Sequence, residues 1–267
     1  MDLAFKSLID LVSRESGIDL TKYREGYLRR RIELRMRMLG LRDYGEYLKI
    51  LRNDGDGEIQ KLVNTITINV TEFMRDKTPF EFLMKNILPE IASRKKRVKS
   101  NIVRFWSAGC SCGEEPYSIA ICALEVLGEK WLISIYATDI DDTCLEMARG
   151  GFYRPVQLKN LSKMLINKYF DKEGDGYRVK NFLKKHIRFK KHDLTTEGPV
   201  SKYLDVVFCR NVMIYFSEQQ KAKVVNDFYN ALVEGGYLII GKSETLPAGF
   251  KDKFECVNLR EKIYKKI

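Results

Sequence analysis

The C-terminal two thirds of the chain alternates apolar runs with helical patterns, and this alternation restricts the fold more than any other feature. The apolar runs lie at residues 102–106, 131–137, 203–209 and 237–241, with helical spacing between them. Strands that are continuously apolar and separated by helices belong to parallel sheets that are covered on both faces. The sequence therefore predicts an α/β domain built on a mostly parallel sheet with helices on both faces.

The end of this domain departs from the alternation. Gly235 and Gly236 predict a turn just before the last parallel strand. The short runs at 254–257 and 262–264 follow without a helix between them. We therefore expect these two runs to form an antiparallel edge of the sheet.

Residues 152–190 interrupt the alternation from within. A helical pattern at 158–170 is followed by the sequence Gly174-Asp175-Gly176 between two short β-prone runs. An Asp-Gly turn in that setting is typical of a β-hairpin. The segment is therefore predicted to be a small inserted subdomain at the edge of the sheet.

The first 70 residues show helical spacing instead of strand patterns. Helical patterns cover residues 3–13, 43–51 and 58–63, together with a segment bounded by Gly26 and Gly40. Residues 1–70 are therefore predicted to form a small all-α domain.

A linker separates the two parts of the chain. Pro79 and Pro89 bracket a helical pattern at residues 80–88. We accordingly predict a linker helix within residues 71–90 and a second domain over residues 91–267.

The helix between Gly26 and Gly40 is strongly basic. Between Lys22 and Arg42 there are eight Lys or Arg residues and only two Glu. The spacing predicts a core stripe of Leu28, Ile32, Met36 and Leu39 and a narrower second stripe of Tyr27, Leu34 and Met38, flanked by Arg30 and Arg37 on one side and by Arg31 and Arg35 on the other. This face is either a solvated basic surface or a docking face for an acidic amphipathic helix.

Composition restricts the setting of the protein. A formal net charge of +11 indicates an acidic partner without identifying it. No apolar run approaches the ~18 residues that a membrane span needs, and the first residues lack a signal-peptide pattern. Cys110 and Cys112 do not form a C-x-x-C zinc pattern, and the other cysteines are scattered. We therefore expect a cytoplasmic protein that does not insert into a membrane.

Acidic and polar residues follow successive predicted strands, at the edge of a parallel sheet where ligands bind. Glu114 and Glu115 follow the first strand in a loop of small residues, Asp139 follows the second, and Asp193 follows a further run at 187–190. The loop is not G-x-G-x-x-G, and an acidic pair would repel a pyrophosphate, which disfavours a nicotinamide dinucleotide. A nucleoside with a positive centre and no phosphate, such as S-adenosylmethionine, fits this pattern.

Four linked motifs make a family resemblance specific. They are Thr67-Ile68-Asn69-Val70-Thr71-Glu72-Phe73-Met74-Arg75-Asp76, Gly113-Glu114-Glu115-Pro116-Tyr117-Ser118, Thr138-Asp139-Ile140 and Cys209-Arg210-Asn211-Val212-Met213-Ile214-Tyr215-Phe216. In this order they resemble the chemotaxis receptor methyltransferases known as CheR, and the resemblance runs nearly from end to end.

The resemblance implies transfer of a methyl group from S-adenosylmethionine to glutamates on chemoreceptor cytoplasmic helices, with S-adenosylhomocysteine as the second product. By matching positions, the residues expected at the cofactor are Asn69, Thr71, Arg75, Glu115, Asp139, Asp193, Leu194, Arg210 and Asn211. Arg75 and Tyr215 are expected near the transferred methyl group as the catalytic residues. The resemblance also suggests a monomer, and it gives Arg30, Arg31, Arg35 and Arg37 a use in docking the acidic receptor helices.

Methyl transfer to a carboxylate needs neither a general base nor a metal. A glutamate with a pKa near ~4.3 is already ionised at neutral pH. Neither of the two histidines, His186 and His192, is therefore assigned a catalytic role. Arg75 is expected to position the substrate carboxylate and Tyr215 to orient it.

Three positions depart from the family pattern. Cys112 stands where the family more often has Ser or Thr, Met74 where it more often has Phe, and Asp193 where many members have Asn.

Two other functions remain alternatives. The charge of +11 would also suit a nucleic-acid methyltransferase, but the chain lacks the Asn/Asp-Pro-Pro-aromatic signature of that class and an aromatic stacking platform. A receptor-binding adaptor without turnover is the second alternative, and nucleic acid is not the expected partner.

Overall fold

The computed structural model describes residues 3–53, 57–67 and 69–267. The chain divides into two compact units, one comprising Met1–Asn69 with Tyr215–Lys223 and the other Val70–Ile214 with Val224–Ile267. Each unit is described by itself below. No helix in the described part of the chain is long and apolar enough to cross a membrane.

The helices are α1 (Leu3–Ser16), α2 (Glu25–Met38), α3 (Tyr44–Arg52), α4 (Glu58–Ile66), α5 (Thr78–Phe82), α6 (Leu88–Arg97), α7 (Glu114–Leu127), α8 (Asp142–Gly150), α9 (Lys163–Tyr169), α10 (Asn181–Lys184) and α11 (Glu218–Ala231). The strands are β1 (Ile102–Ala108), β2 (Leu132–Asp139), β3 (Phe152–Tyr153), β4 (Phe170–Glu173), β5 (Gly176–Val179), β6 (Ile187–Lys191), β7 (Leu204–Cys209), β8 (Leu232–Ile240), β9 (Phe254–Asn258) and β10 (Ile263–Lys266).

The second unit is built on a seven-stranded sheet in the order β6-β2-β1-β7-β8-β10-β9. The five strands from β6 to β8 are parallel, and β10 and β9 add an antiparallel edge. All six residues of β7 are buried, so both faces of the sheet are covered at its centre. The predicted fold class and the antiparallel edge are confirmed.

The predicted turn at Gly235 and Gly236 is wrong, because both glycines lie inside β8. Leu204 of β7 pairs with Leu232, and Val206 pairs with Tyr237, so β8 advances five residues where β7 advances two. Gly235 has φ +68°, a conformation that favours glycine. The two glycines therefore allow an irregularity within one strand instead of separating a helix from a strand.

Pro89 does not end the linker helix, as the sequence had suggested. A π-helical turn, Leu83–Ile87, follows α5 and leads directly into α6. Pro89 then lies at the start of α6, directly after the π-helical turn. The helical segment consequently runs on through the basic residues at its end.

The insertion is a small sheet of its own. β3, β5 and β4 pair antiparallel, and β4 and β5 form the predicted hairpin around Gly174. The helix within it is shorter than predicted, Lys163–Tyr169, and a 3-10 turn, Pro155–Leu158, precedes it. The insertion also ends earlier than predicted, because β6 belongs to the main sheet.

In the first unit, three helices meet at the buried carboxylate of Glu58. Arg35 of α2 donates from Nε to Oε1 and from Nη2 to Oε2, both at 2.6 Å, and the Tyr47 hydroxyl of α3 donates to Oε1 at 2.9 Å. Burial opposes ionisation, but the hydrogen bonds from Arg35 and Tyr47 hold the pKa of Glu58 below its usual value. This ion pair therefore fixes α2 and α3 to the start of α4.

The face of α2 differs from the predicted stripes in three places. Tyr27 belongs to the core, since it is buried and its hydroxyl donates to the carbonyl of Ile66. Leu39, predicted to be core, follows the helix and is 39% exposed. Arg35 is engaged by Glu58 and is not an exposed docking cation. Arg30 and Arg37 remain exposed, and Arg31 is half-buried beside the Tyr27 ring.

We expect the Glu58→Ala substitution to lower the free energy of unfolding by about 3 kcal/mol, because it leaves the Arg35 guanidinium without its counter-ion. Urea denaturation followed by circular dichroism measures the loss. The matched control is Glu25→Ala, which breaks the exposed 2.7 Å pair with Arg29 and should have a much smaller effect. Equal losses in the two variants would show that the Glu58 pair does not organise this unit.

Candidate active site

The loop after β1 turns through glycine conformations that bring its backbone close to neighbouring segments. Gly109 and Gly113 have φ values of +81° and +97°. The N–H groups of Gly109 and Cys110 both donate to the Thr138 carbonyl, at 2.8 and 2.9 Å. A Cβ atom at Gly109 would collide with the side chain of Val212. The loop therefore packs tightly between the ends of β2 and β7, as a sequence of small residues permits.

Two glutamates begin α7, and they have different partners. The Ser107 hydroxyl donates to Glu115 Oε1 at 2.8 Å, and the Glu115 side chain is 13% exposed. Burial raises the pKa of Glu115, although the nearby Arg210 opposes this effect. Glu114 is fully buried, where Gln157 Nε2 donates to its Oε1 at 2.7 Å and no partner among the described residues reaches its Oε2.

Asp139 ends β2 beside this loop. Its Oδ2 accepts from the Ser111 N–H at 2.7 Å, and its Oδ1 accepts from the Asp141 N–H at 3.0 Å. Burial raises the pKa of the Asp139 carboxyl, and these backbone donors act against that rise. A carboxylate has four acceptor positions, so Asp139 keeps the capacity to accept from ligand hydroxyls. Asp141 caps α8 by accepting from the Cys144 N–H at 3.1 Å.

Arg210 follows β7 and joins three segments of the second unit. Its Nη2 lies 2.6 Å from Asp76 Oδ2 and 3.0 Å from the Arg75 carbonyl, and its Nη1 lies 3.6 Å from Glu115 Oε2. The side chain is only 2% exposed, and its Nε is buried without a partner among the described residues. The guanidinium thus supplies a fixed positive charge beside Glu115.

Glu244 is a residue of the site that the sequence analysis missed. Its carboxylate accepts from the N–H groups of Asn211, Val212, Ile214 and Gly241 at 2.6–3.1 Å. Asn211 has φ +60°, and its Oδ1 is buried without a partner among the described residues. Glu244 therefore shapes the loop that presents Asn211. No local sequence pattern marks it, since it lies 33 residues from Asn211.

The backbone between Thr71 and Arg75 is held by two hydrogen bonds to other segments. The Phe73 N–H donates to the Gln157 carbonyl at 3.0 Å, and the Met74 N–H donates to the Ser118 hydroxyl at 2.9 Å. The Phe73 ring is fully buried and meets Tyr153 edge-on at 4.8 Å. These contacts hold the backbone just before Arg75, whose Nη1 donates to the Val70 carbonyl at 2.8 Å.

The residues predicted after β6 have local partners. Asp193 Oδ1 accepts from the N–H and the hydroxyl of Thr195, both at 2.7 Å, and Leu194 is buried. His192 is buried edge-on to Trp106 at 5.5 Å, with Nε2 2.8 Å from the Gly198 carbonyl. This histidine is part of the packing around Trp106.

Two of the predicted site residues, Asn69 and Tyr215, belong to the first unit. The Tyr215 ring lies 4.7 Å from the Tyr27 ring, and its carbonyl accepts from the Arg24 N–H at 2.9 Å. The roles of Asn69 and Tyr215 toward a cofactor stay predictions. The second unit brings Arg75, Glu115, Asp139, Arg210 and Asn211 to the carboxyl ends of β1, β2 and β7.

The donor set of the second unit fits S-adenosylmethionine. Two buried polar atoms, Arg210 Nε and Asn211 Oδ1, lack partners in the part of the chain that the structure describes. The carboxylates of Glu115 and Asp139 suit a ligand with a positive centre and free hydroxyls. Gly109 lets the loop approach its neighbours where a side chain would not fit.

The chain is similar throughout to proteins of one family. A family model described as "CheR methyltransferase, SAM binding domain" matches residues 69–263, and one described as "CheR methyltransferase, all-alpha domain" matches residues 3–67. A chemotaxis protein methyltransferase of Borreliella burgdorferi is 37% identical, over 90% of this chain and 87% of the relative. That of Escherichia coli is 36% identical, over 91% and 84%. That of Vibrio parahaemolyticus is 34% identical, over 100% and 97%.

The buried carboxyl of Glu114 predicts a specific pH dependence of stability. Burial raises the pKa of Glu114 to about 7, so the folded protein holds a proton that the unfolded chain releases near pH ~4.5. The unfolded state therefore binds fewer protons between these values, and stability falls as the pH rises from about 4.5 to about 7. The loss amounts to about 3 kcal/mol.

Calorimetric unfolding between pH 5 and pH 8 measures this loss. We expect Glu114→Gln, which carries no charge, to reduce the slope of melting temperature against pH. The exposed Glu129→Gln is the control and should retain the slope. If the slope is the same in both variants, another group is responsible for it.

Proposed function

Since the chain belongs to the CheR methyltransferase family, whose activity is S-adenosylmethionine-dependent receptor methylation in chemotaxis, we propose that its substrates are glutamate side chains of chemoreceptor cytoplasmic helices. The products are glutamate 5-O-methyl esters and S-adenosylhomocysteine. The observation that carries the proposal is the group of Arg75, Glu115, Asp139 and Arg210 at the strand ends of a chain that contains both domains of the family.

The cofactor would be held by groups that are already fixed in place. Asp139 accepts from two backbone N–H groups and has acceptor capacity left for ribose hydroxyls. Glu115 lies between Ser107 and Arg210, which orient its carboxylate. Asn211 Oδ1 and Arg210 Nε supply an acceptor and a donor without other partners among the described residues. When bound, S-adenosylmethionine supplies a methyl group on a positively charged sulfur.

The protein's own contribution to the chemistry is orientation and exclusion of water. A glutamate substrate with a pKa near ~4.3 arrives ionised, so no side chain has to remove a proton. Arg75 has five N–H donors, of which one is used by the Val70 carbonyl, so others remain for the substrate carboxylate. A tight ion pair would weaken the nucleophile, and we therefore assign Arg75 to positioning the substrate carboxylate, with Tyr215 orienting it.

The substrate is proposed to dock on α2. Arg30 and Arg37 are exposed on this helix, and Leu34 and Met38 lie on the same face. Acidic methylation helices are complementary to such a surface in charge and in their apolar stripe. The proposal places a monomeric enzyme in the cytoplasm, recruited to membrane receptor arrays by its substrate. A nucleic-acid substrate is not favoured by the family to which the chain belongs.

We expect the wild-type protein to bind S-adenosylhomocysteine in isothermal titration calorimetry and Asp139→Ala to bind it at least tenfold more weakly, because hydrogen bonds to a charged group are worth about 1.5–3 kcal/mol. Asp142→Ala, an exposed aspartate of the next helix, is the matched control and should bind like wild type. Labelled methyl transfer to receptor fragments should give a base-labile product. A folded wild type that binds no S-adenosylhomocysteine, or a base-stable methylated product, would refute the proposal.

A second prediction concerns docking alone. Reversing the charge of Arg30 and Arg37 to Glu should raise the KM for receptor fragments at least tenfold, because each change removes an attraction and adds a repulsion. S-adenosylhomocysteine affinity should stay unchanged, since neither residue is among those expected to bind the cofactor. The control reverses Lys6 and Lys49, two exposed lysines of the same unit. Equal increases in KM for the two double variants would exclude specific docking at α2.

A further inference from the structure

Two cysteine side chains meet at the loop after β1. Cys112 lies in the loop after β1, and Cys144 lies in the first turn of α8. Their Sγ atoms are 2.8 Å apart, and both residues are buried, with 8% and 4% exposure. That separation is only about 0.8 Å longer than a disulfide bond, which measures ~2.05 Å.

We propose that Cys112 and Cys144 are a modification site, at which a hydroperoxide oxidises the two thiols to a reversible disulfide that weakens cofactor binding. The inference rests on the proposed function, since it concerns regulation of the same cofactor site.

The reaction is balanced with the hydroperoxide as the oxidant. The Cys112 thiolate attacks one oxygen of the hydroperoxide, and the O–O bond breaks. The second oxygen leaves and takes a proton to form water or an alcohol, so Cys112 becomes a sulfenic acid. Cys144 sulfur then attacks the Cys112 sulfur, hydroxide leaves and takes the Cys144 proton, and the disulfide forms. The two thiols lose two electrons, and the peroxide gains them.

The contact also selects this pair over the other cysteines. A hydrogen bond from the Cys144 thiol lowers the pKa of Cys112, which favours the reactive thiolate. Burial raises the pKa of Cys110, Cys122 and Cys209, so these three stay protonated. Cys256 is exposed and is the cysteine available for unspecific oxidation.

Forming the Cys112–Cys144 disulfide would displace the loop after β1. Ser111, next to Cys112, donates its N–H to Asp139, and the Cys112 carbonyl accepts from the Tyr153 hydroxyl at 2.6 Å. Asp141 caps the turn that carries Cys144 and also donates to Asp139 through its N–H. A movement of about 0.8 Å between these segments therefore disturbs the two hydrogen bonds that orient Asp139.

The test treats the full chain with hydrogen peroxide, blocks free thiols, and analyses non-reduced proteolytic peptides by mass spectrometry. We expect a linked peptide pair containing Cys112 and Cys144. Affinity for S-adenosylhomocysteine should fall at least tenfold on oxidation and return with dithiothreitol, in wild type and in the Cys256→Ser control. Cys144→Ser, and Cys144→Ala as a second variant, should keep their reduced-state affinity after peroxide.

Each result has one meaning. Absence of the linked peptides after oxidation, with modification of Cys256 alone, would overturn the proposal. Linked peptides with unchanged affinity would overturn its regulatory part. If reduced wild type binds no S-adenosylhomocysteine, the proposed function fails, while the peptide analysis still decides whether the disulfide forms.

Discussion

The buried guanidinium of Arg210 is the interaction on which the site depends. A charge in the protein interior is tolerated only when it is paired and hydrogen-bonded, and Arg210 finds those partners in Asp76, Glu115 and the Arg75 carbonyl. These partners come from the segment before the sheet and from the start of α7, whereas Arg210 itself ends β7. One ion therefore links three parts of the second unit and fixes the backbone at Arg75.

The charge of the site is opposite to that of the chain as a whole. Glu115, Asp139 and Glu244 gather at the strand ends, and burial raises the pKa of all three carboxyls. The basic excess lies elsewhere: residues 152–191 contain twelve Lys or Arg and three Asp or Glu. A cationic cofactor at the strand ends would therefore meet a surface whose sign is opposite to the net charge of the chain. The net charge of +11 therefore does not reveal the acidic character of the strand ends.

Orientation explains why the site contains so many hydrogen bonds to its own backbone. The proposed methylation of a glutamate needs no proton transfer, so its rate would depend on how well the nucleophile and the methyl group are aligned. Glu244 holds four backbone N–H groups, and Asp139 holds two. Such contacts fix the loops before a ligand arrives, which reduces the ordering that binding must achieve. The same rigidity makes the loop after β1 sensitive to small displacements at Cys112.

The sequence by itself determined the features that depend on neighbouring residues. Continuous apolar runs between helical patterns specify parallel strands, and the Gly174-Asp175-Gly176 turn specifies the hairpin, because both are local. Only the tertiary structure decided the pairs between distant residues. Arg35 meets Glu58 across 23 positions, Asn211 meets Glu244 across 33, and Cys112 meets Cys144 across 32. Gly235 likewise lies in a strand irregularity, and this irregularity is defined by the pairing of β8 with β7. Periodicity assigns a residue to a face of its own helix or strand, whereas its partner is set by how those elements pack.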